Sequence, residues 1–308
     1  MKTPLLNIGK KENSSKPTHK SPHLPTGYSP RERFENSFRP SGSPSHQNLV
    51  GKQITPECSK RWGDKSDGVL RCSRYSFGPN RLHYCGPDAN REMLAYLKED
   101  TSDFGLAILL RQFKTLFPYL KLIAEANGLK DHFDQRVVEA YWIGNKLLDR
   151  VGPQNLYQNL TEEHNLKKKL GLKNFTAIEN KIERGALPHH SFHVFNVWKR
   201  TGHLEEKHTL ESMDECRVSW GLVQSCDGPF INVSYQPLCT DGYKLFLGNP
   251  VSRRITRHLD SPSDIGDLKI GDIISIHWGV PCEVLSRREI LNLKKYTLES
   301  IRLANGDL

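Results

Sequence analysis

The chain has 308 residues, with 44 Lys and Arg against 35 Asp and Glu, a formal net charge of +9. The surplus sits mainly at one end: residues 1–70 hold 12 basic and 6 acidic residues, and the other 238 hold 32 and 29. A nearly neutral bulk argues against a nucleic-acid-binding core and leaves at most a weak polyanion tether in the first 70 residues.

No stretch approaches the roughly 18 apolar residues of a membrane span, and no N-terminal apolar segment has signal-peptide length. Seven cysteines without a Cys-x-x-Cys pair point to free thiols in a reducing compartment, so the expectation is a soluble, cytoplasmic protein. Residues 1–70 carry 8 of the 18 prolines and 10 serines, too little apolar surface to offset chain entropy, and read as a disordered basic tail.

Residues 71 to about 187 read as a helical domain. In "PDANREMLAYLK", Asp88 is the expected cap ahead of Met93, Leu94 and Leu97. The long apolar run from Ser102 to Gly128 has helical spacing; Pro118 should kink or split it, and Gly128 should stop it. "FDQRVVEAYWIGNKLLDRV" should start at Asp134 and bury Val137, Val138, Tyr141 and Leu148. "NLTEEHNLKKKLGL" and "FTAIENKIERG" read as further, more exposed helices.

From Pro188 the apolar period becomes two. "SFHVFNVW", "CRVSWGLV", "FINVSYQPL", "YKLFLG", "SRRITRH" and "GDIISIHWG" read as short strands, which suggests a small barrel over residues 188–308. Ser286 and Glu289 form a capping box for a closing helix that Gly306 ends. The fold class is therefore α+β, a helical domain followed by a small barrel of the oligonucleotide-binding type with a C-terminal helix.

Among chemistry-bearing residues, His189, His190 and His193 lie close in sequence. On an extended strand His190 and His193 would face opposite ways, so one metal could not take both without a bend. A metal-dependent enzyme built on these three is one alternative reading. Cys85, in the turn "YCGPD", precedes a helix whose N-terminus would favour a thiolate, but no acid–base pair adjoins it in sequence. Glu139, Tyr141 and Trp142 read as a helix whose aromatics are core. No phosphate loop, G-x-S-x-G or H-E-x-x-H motif occurs. An oligonucleotide-binding barrel is a further alternative, although aromatics interleaved with a basic patch are missing.

Cys216 and His277 sit at the edges of two of the expected strands. In a small barrel the first and a late strand lie side by side, so residues about sixty apart can meet. A thiolate with an imidazole is a natural ligand pair for Fe(II), Zn or Cu.

Residues 214–301 resemble the HypC/HupF-type chaperones of nickel–iron hydrogenase maturation. The shared features are Cys216, four residues, Gly221, one residue and Val223, then "GDIISIHWG" followed by a helix. The resemblance implies a five-stranded barrel with a C-terminal helix, a non-enzymatic accessory role, and Cys216 and His277 as transient ligands to iron carrying cyanide and carbonyl. It also implies a partner, either a hydrogenase large-subunit precursor or a maturation-complex protein. Cys216 is internal, whereas that family's cysteine opens the processed chain, and Trp220 replaces a usual proline. The longer span from about 71 to 305 resembles an uncharacterised bacterial family encoded among hydrogenase genes.

Overall fold

A computed structural model describes residues 65–197, 209–256 and 268–307, all within one compact unit. Residues 1–64, most of the expected tail, lie outside these. Asp67 accepts a hydrogen bond from the Leu70 N–H at 2.9 Å and opens α1, Gly68–Arg81. This helix begins inside the stretch assigned to the tail, with Gly68 and Leu70 already buried.

Helix α2, Asn90–Lys98, has Ala89 as its cap and no side-chain capping bond. Asp88, the expected cap, instead faces His83 at 3.5 Å. The long apolar run is split, as Pro118 suggested, into α3, Phe104–Arg111, and α4, Leu116–Ala126. Pro118 itself occupies the first turn of α4, where a missing N–H costs nothing. Gly128, at φ 68°, follows the end of α4 in the left-handed conformation that favours glycine. Asp134 caps α5, Gln135–Trp142, and Val137, Val138, Tyr141 and Leu148 are all buried. Short helices follow at α6, Pro153–Gln158, α7, Leu166–Leu170, and α8, Leu172–Glu183.

The segment expected to form the strand "SFHVFNVW" is helical. A turn of α-helix, α9, His190–Phe192, runs into a π-turn over His193–Val197. Every residue from His190 to Val197 is buried, so the apolar alternation carried no information about an exposed face. His189 caps this turn, its Nδ1 accepting from the Ser191 N–H at 3.1 Å.

Helix α10, Leu210–Cys216, leads into β1, Ser219–Asp227. Cys216 is therefore the last helical residue, not the first of a strand. β2, Phe230–Tyr235, and β5, Val251–Thr256, flank β1 on one side; β6, Ile273–His277, and β7, Val280–Val284, flank it on the other. The antiparallel sheet has the order β5-β2-β1-β6-β7. β7 lies in "VPCEV", which is not among the segments read as strands; at the edge of the sheet it tolerates Pro281. Among the described residues no hydrogen-bonded ladder joins the edge strands β5 and β7, so a five-stranded antiparallel sheet is shown and closure into a barrel is not. A separate hairpin pairs β3, Leu238–Thr240, with β4, Leu245–Leu247. Helix α11, Arg287–Asn305, has the expected capping box of Ser286 and Glu289 and ends at Gly306.

One apolar cluster takes Tyr75, Leu110, Tyr119, Tyr141 and Trp142 from the helices together with Val218, Trp220, Cys282 and Leu293 from the later residues. The helices and one side of the sheet thus share a core, and the region between α1, α5, α9 and β6 is interior.

Candidate metal centre

Strand pairing brings Cys216 and His277 together. Ser219 opposes Ile276 in the β1–β6 ladder, which sets the residues just before β1 beside the end of β6. The Trp278 N–H then donates to the Glu215 carbonyl at 2.9 Å and ties the last turn of α10 to the residue after His277. Trp278 and Gly279 both have positive φ, 53° and 68°, forming the tight β6–β7 turn. A bulky residue there is strained; packing of the Trp278 ring on Tyr84, with centroids 4.6 Å apart, holds it.

Proline sets the orientation of His277. In α1 the Tyr75 carbonyl would ordinarily accept from the N–H four residues on, but that residue is Pro79, which has none. The freed carbonyl accepts instead from His277 Nδ1 at 2.7 Å. A carbonyl only accepts, so Nδ1 carries the proton and the lone pair is on Nε2. Nε2 is buried and has no hydrogen-bond partner of good geometry, although the Cys216 carbonyl lies near enough to the ring to favour its protonated form. Gly78 allows this approach: a Cβ there would lie 2.7 Å from the His277 carbonyl oxygen.

The third member is His190. Its Nε2–H donates to the Cys216 carbonyl at 2.7 Å, and its Nδ1 accepts from the Tyr141 hydroxyl at 3.1 Å. It can join a coordination shell only by giving up one of these bonds. The His190 and His277 rings lie 5.1 Å apart, and Trp142 packs on both, at 4.5 and 5.3 Å between centroids. One ligand atom from each of His190, Cys216 and His277 lies within 4.8 Å of the others. All three line a cavity of about 30 Å³, with Cys85, Tyr141 and Pro79 also in its wall.

Burial pushes His277 down to about 4, against the opposing influence of the Tyr75 and Cys216 carbonyls, and takes His190 well below the ordinary histidine range. Both rings are therefore neutral near pH 7 and able to bind a metal without displacing a proton. Two imidazoles and a thiolate suit Zn, Cu or Fe(II), and the unpaired Nε2 is the atom such an ion would take.

The remaining sequence candidates part company. His189 stacks on Tyr296 at 5.4 Å. His193 bonds the Tyr119 hydroxyl through Nδ1 at 3.1 Å and lies 6.0 Å from the His164 ring. Neither belongs to the three-residue group, so the histidine triplet is divided among three environments. Glu139 turns away to Arg71 and Arg288, while Tyr141 and Trp142 are core and cavity wall at once. Sequence reasoning named His190 as a secondary candidate and weighed a turn that could fold it back, but it did not join His190 to the Cys216–His277 pair; the turn over His190–Phe192 is what aims it there.

The fold and the site together define an α+β protein with a buried imidazole–thiol cluster. Residues 64–308 match the family model of DUF6390, a family of unknown function, and the chain belongs to that family. No curated protein and no solved structure matches the chain. No helix among the described residues is long and apolar enough to cross a membrane.

Proposed function

We propose that this protein is a metal-handling accessory factor that holds one transition-metal centre on His190, Cys216 and His277. The observation that carries the reading is the convergence of three ligand atoms within 4.8 Å on a small cavity, with the His277 Nε2 unpaired. Leaving a buried acceptor without a partner costs about 1–3 kcal/mol, a cost that a bound ion would offset. A bound ion would supply a Lewis-acid or carrier centre; the chain supplies a fixed His277 tautomer, a dry wall and a thiol at a helix end. Residues 214–301 extend the reading. Their likeness to hydrogenase-maturation chaperones favours iron bearing cyanide and carbonyl as cargo, and a hydrogenase large-subunit precursor or maturation protein as partner.

Two measurements test this. Chain purified anaerobically without chelating resin should carry, or take up, about one transition-metal ion, and Cys216→Ser and His277→Gln should abolish retention while circular dichroism stays unchanged. Metal uptake that ignores both variants contradicts the site. Co-expression with a hydrogenase large-subunit precursor should give a complex; its absence contradicts the hydrogenase role while leaving metal binding to stand on its own measurement.

A further inference from the structure

We infer that Cys85 is the fourth ligand of the same centre, completing a Cys2His2 set for a divalent ion; this rests on the metal-binding reading above. Cys85 lies in the wall of the cavity that His190, Cys216 and His277 line. Its turn is anchored there. The Asn80 side-chain amide donates to the Cys85 carbonyl at 2.9 Å and to the Pro87 carbonyl at 2.7 Å, and the Tyr84 N–H donates to the Pro79 carbonyl at 3.0 Å. Gly86, at φ 83°, lets the turn pass the Phe113 ring: a Cβ there would fall 2.3 Å from Phe113 Cζ. Tyr141, whose hydroxyl bonds His190 Nδ1, lines the same cavity as both thiols. Cys85 is outside the 4.8 Å group; its sulfur turns about one single bond between staggered positions, and one of these must bring it onto the ion.

Charge gives the reason for a second thiolate. A divalent ion on one thiolate and two neutral imidazoles keeps a net charge of +1 in a buried site whose other walls are the apolar Pro79, Phe113, Leu116 and Trp142 and the uncharged Ser76, Thr115 and Tyr141. An uncompensated charge in such surroundings is costly. With Cys85 and Cys216 both bound as thiolates, their protons passing to the buffer, the centre is neutral. Two sulfurs and two imidazole nitrogens also make up the four-coordinate tetrahedral shell that closed zinc-type sites adopt, which makes the ion a resident one and leaves no position for the cyanide and carbonyl of the iron cargo.

The test uses Co2+ as the probe on the full chain. X-ray absorption of the Co2+-loaded, unmutated protein should count two sulfur scatterers at about 2.3 Å. Cys85→Ser should roughly halve the thiolate-to-cobalt charge-transfer intensity. It should also weaken Co2+ binding by at least the roughly 10- to 100-fold that loss of an outer-shell partner causes. One sulfur on the unmutated chain, with binding lost in Cys216→Ser, would overturn the Cys85 assignment and leave the three-ligand site. A full chain that binds no Co2+ would overturn both. Because the sulfur count is made on the natural sequence, a folding defect in Cys85→Ser cannot obscure the outcome.

Discussion

Two buried polar clusters lie on the same helix, and they are built on opposite terms. On one side of α1, Arg71 forks onto Glu283, with Nε at 2.9 Å and Nη2 at 2.7 Å, and reaches Glu289 at 3.1 Å and Glu139 at 3.4 Å. Lys65 pairs with Glu289 at 2.6 Å, Arg288 with Glu139 at 3.1 Å, and the Tyr75 hydroxyl donates to Glu283 at 2.7 Å. Three cations meet three carboxylates. Burial works against the Arg71 charge, but Glu283 more than restores it and holds its pKa above the ordinary value. On the other side, Tyr75 offers its carbonyl to His277, and there the network stops with a nitrogen unpaired. A saturated buried cluster is a fastening for α1, β7, α5 and α11. A cluster of metal-binding side chains beside a cavity, with a buried Nε2 that has no protein partner, has the chemistry to take an ion.

Acid should separate the two clusters most strongly. His164, His189, His190 and His277 all have pKa values depressed by burial, His189 to about 3 and His277 to about 4. The unfolded chain protonates them near pH 6.5 while the folded chain does not. Their contribution is complete above 6.5 and is lost as pH falls from there toward the folded values. Each loses about 1.4 kcal/mol by pH 5.5, together about 5.5 kcal/mol. Urea unfolding at pH 7.5, 6.5 and 5.5 should show this fall before any carboxylate titrates. A flat profile would mean that the imidazoles are solvated.

Arg71→Met tests the saturated side. Removing the cation strands Glu283, which is fully buried, and should cost about 3–5 kcal/mol, read as a lowered denaturation midpoint. A loss under 1 kcal/mol would show that the carboxylates neutralise without it.

Gly78→Ala probes where α1 touches the His277 end of the cluster. The new Cβ would sit 2.7 Å from the His277 carbonyl, so about 1–3 kcal/mol should be lost through overpacking. Metal retention should fall with it. Unchanged retention would show that the His277 position is not set by this contact.

Pro79→Ala should move stability least. It restores an N–H that competes with His277 Nδ1 for the Tyr75 carbonyl, releasing the tautomer. Metal affinity should drop by roughly 10- to 100-fold, the usual effect of an outer-shell loss, with the denaturation midpoint nearly constant. Equal affinity would break the link between proline and site.

Much of the frame was legible in the sequence because it is local. The Ser286–Glu289 box, the Asp134 cap, the split near Pro118 and the β1 and β6 periods each depend on neighbours within a few residues. The meeting of Cys216 and His277 was legible through strand adjacency. His190 was not, since residues 190–197 are buried on every side and their alternation imitates a strand. The Arg71–Glu283 fork joins residues 212 apart, and no spacing rule reaches that far. The freed Tyr75 carbonyl was readable in principle, because Pro79 stands four residues on, but its acceptance of His277 is a tertiary fact.

Anomalous diffraction from crystals of the full chain loaded with Zn2+ or Co2+ would locate the ion. One strong peak should lie in the cavity, about 2.0–2.1 Å from His277 Nε2 and about 2.3 Å from Cys216 Sγ, with the Tyr75–His277 hydrogen bond retained. A metal peak elsewhere on the chain, with His277 Nε2 still unliganded, would contradict a metal site on this cluster.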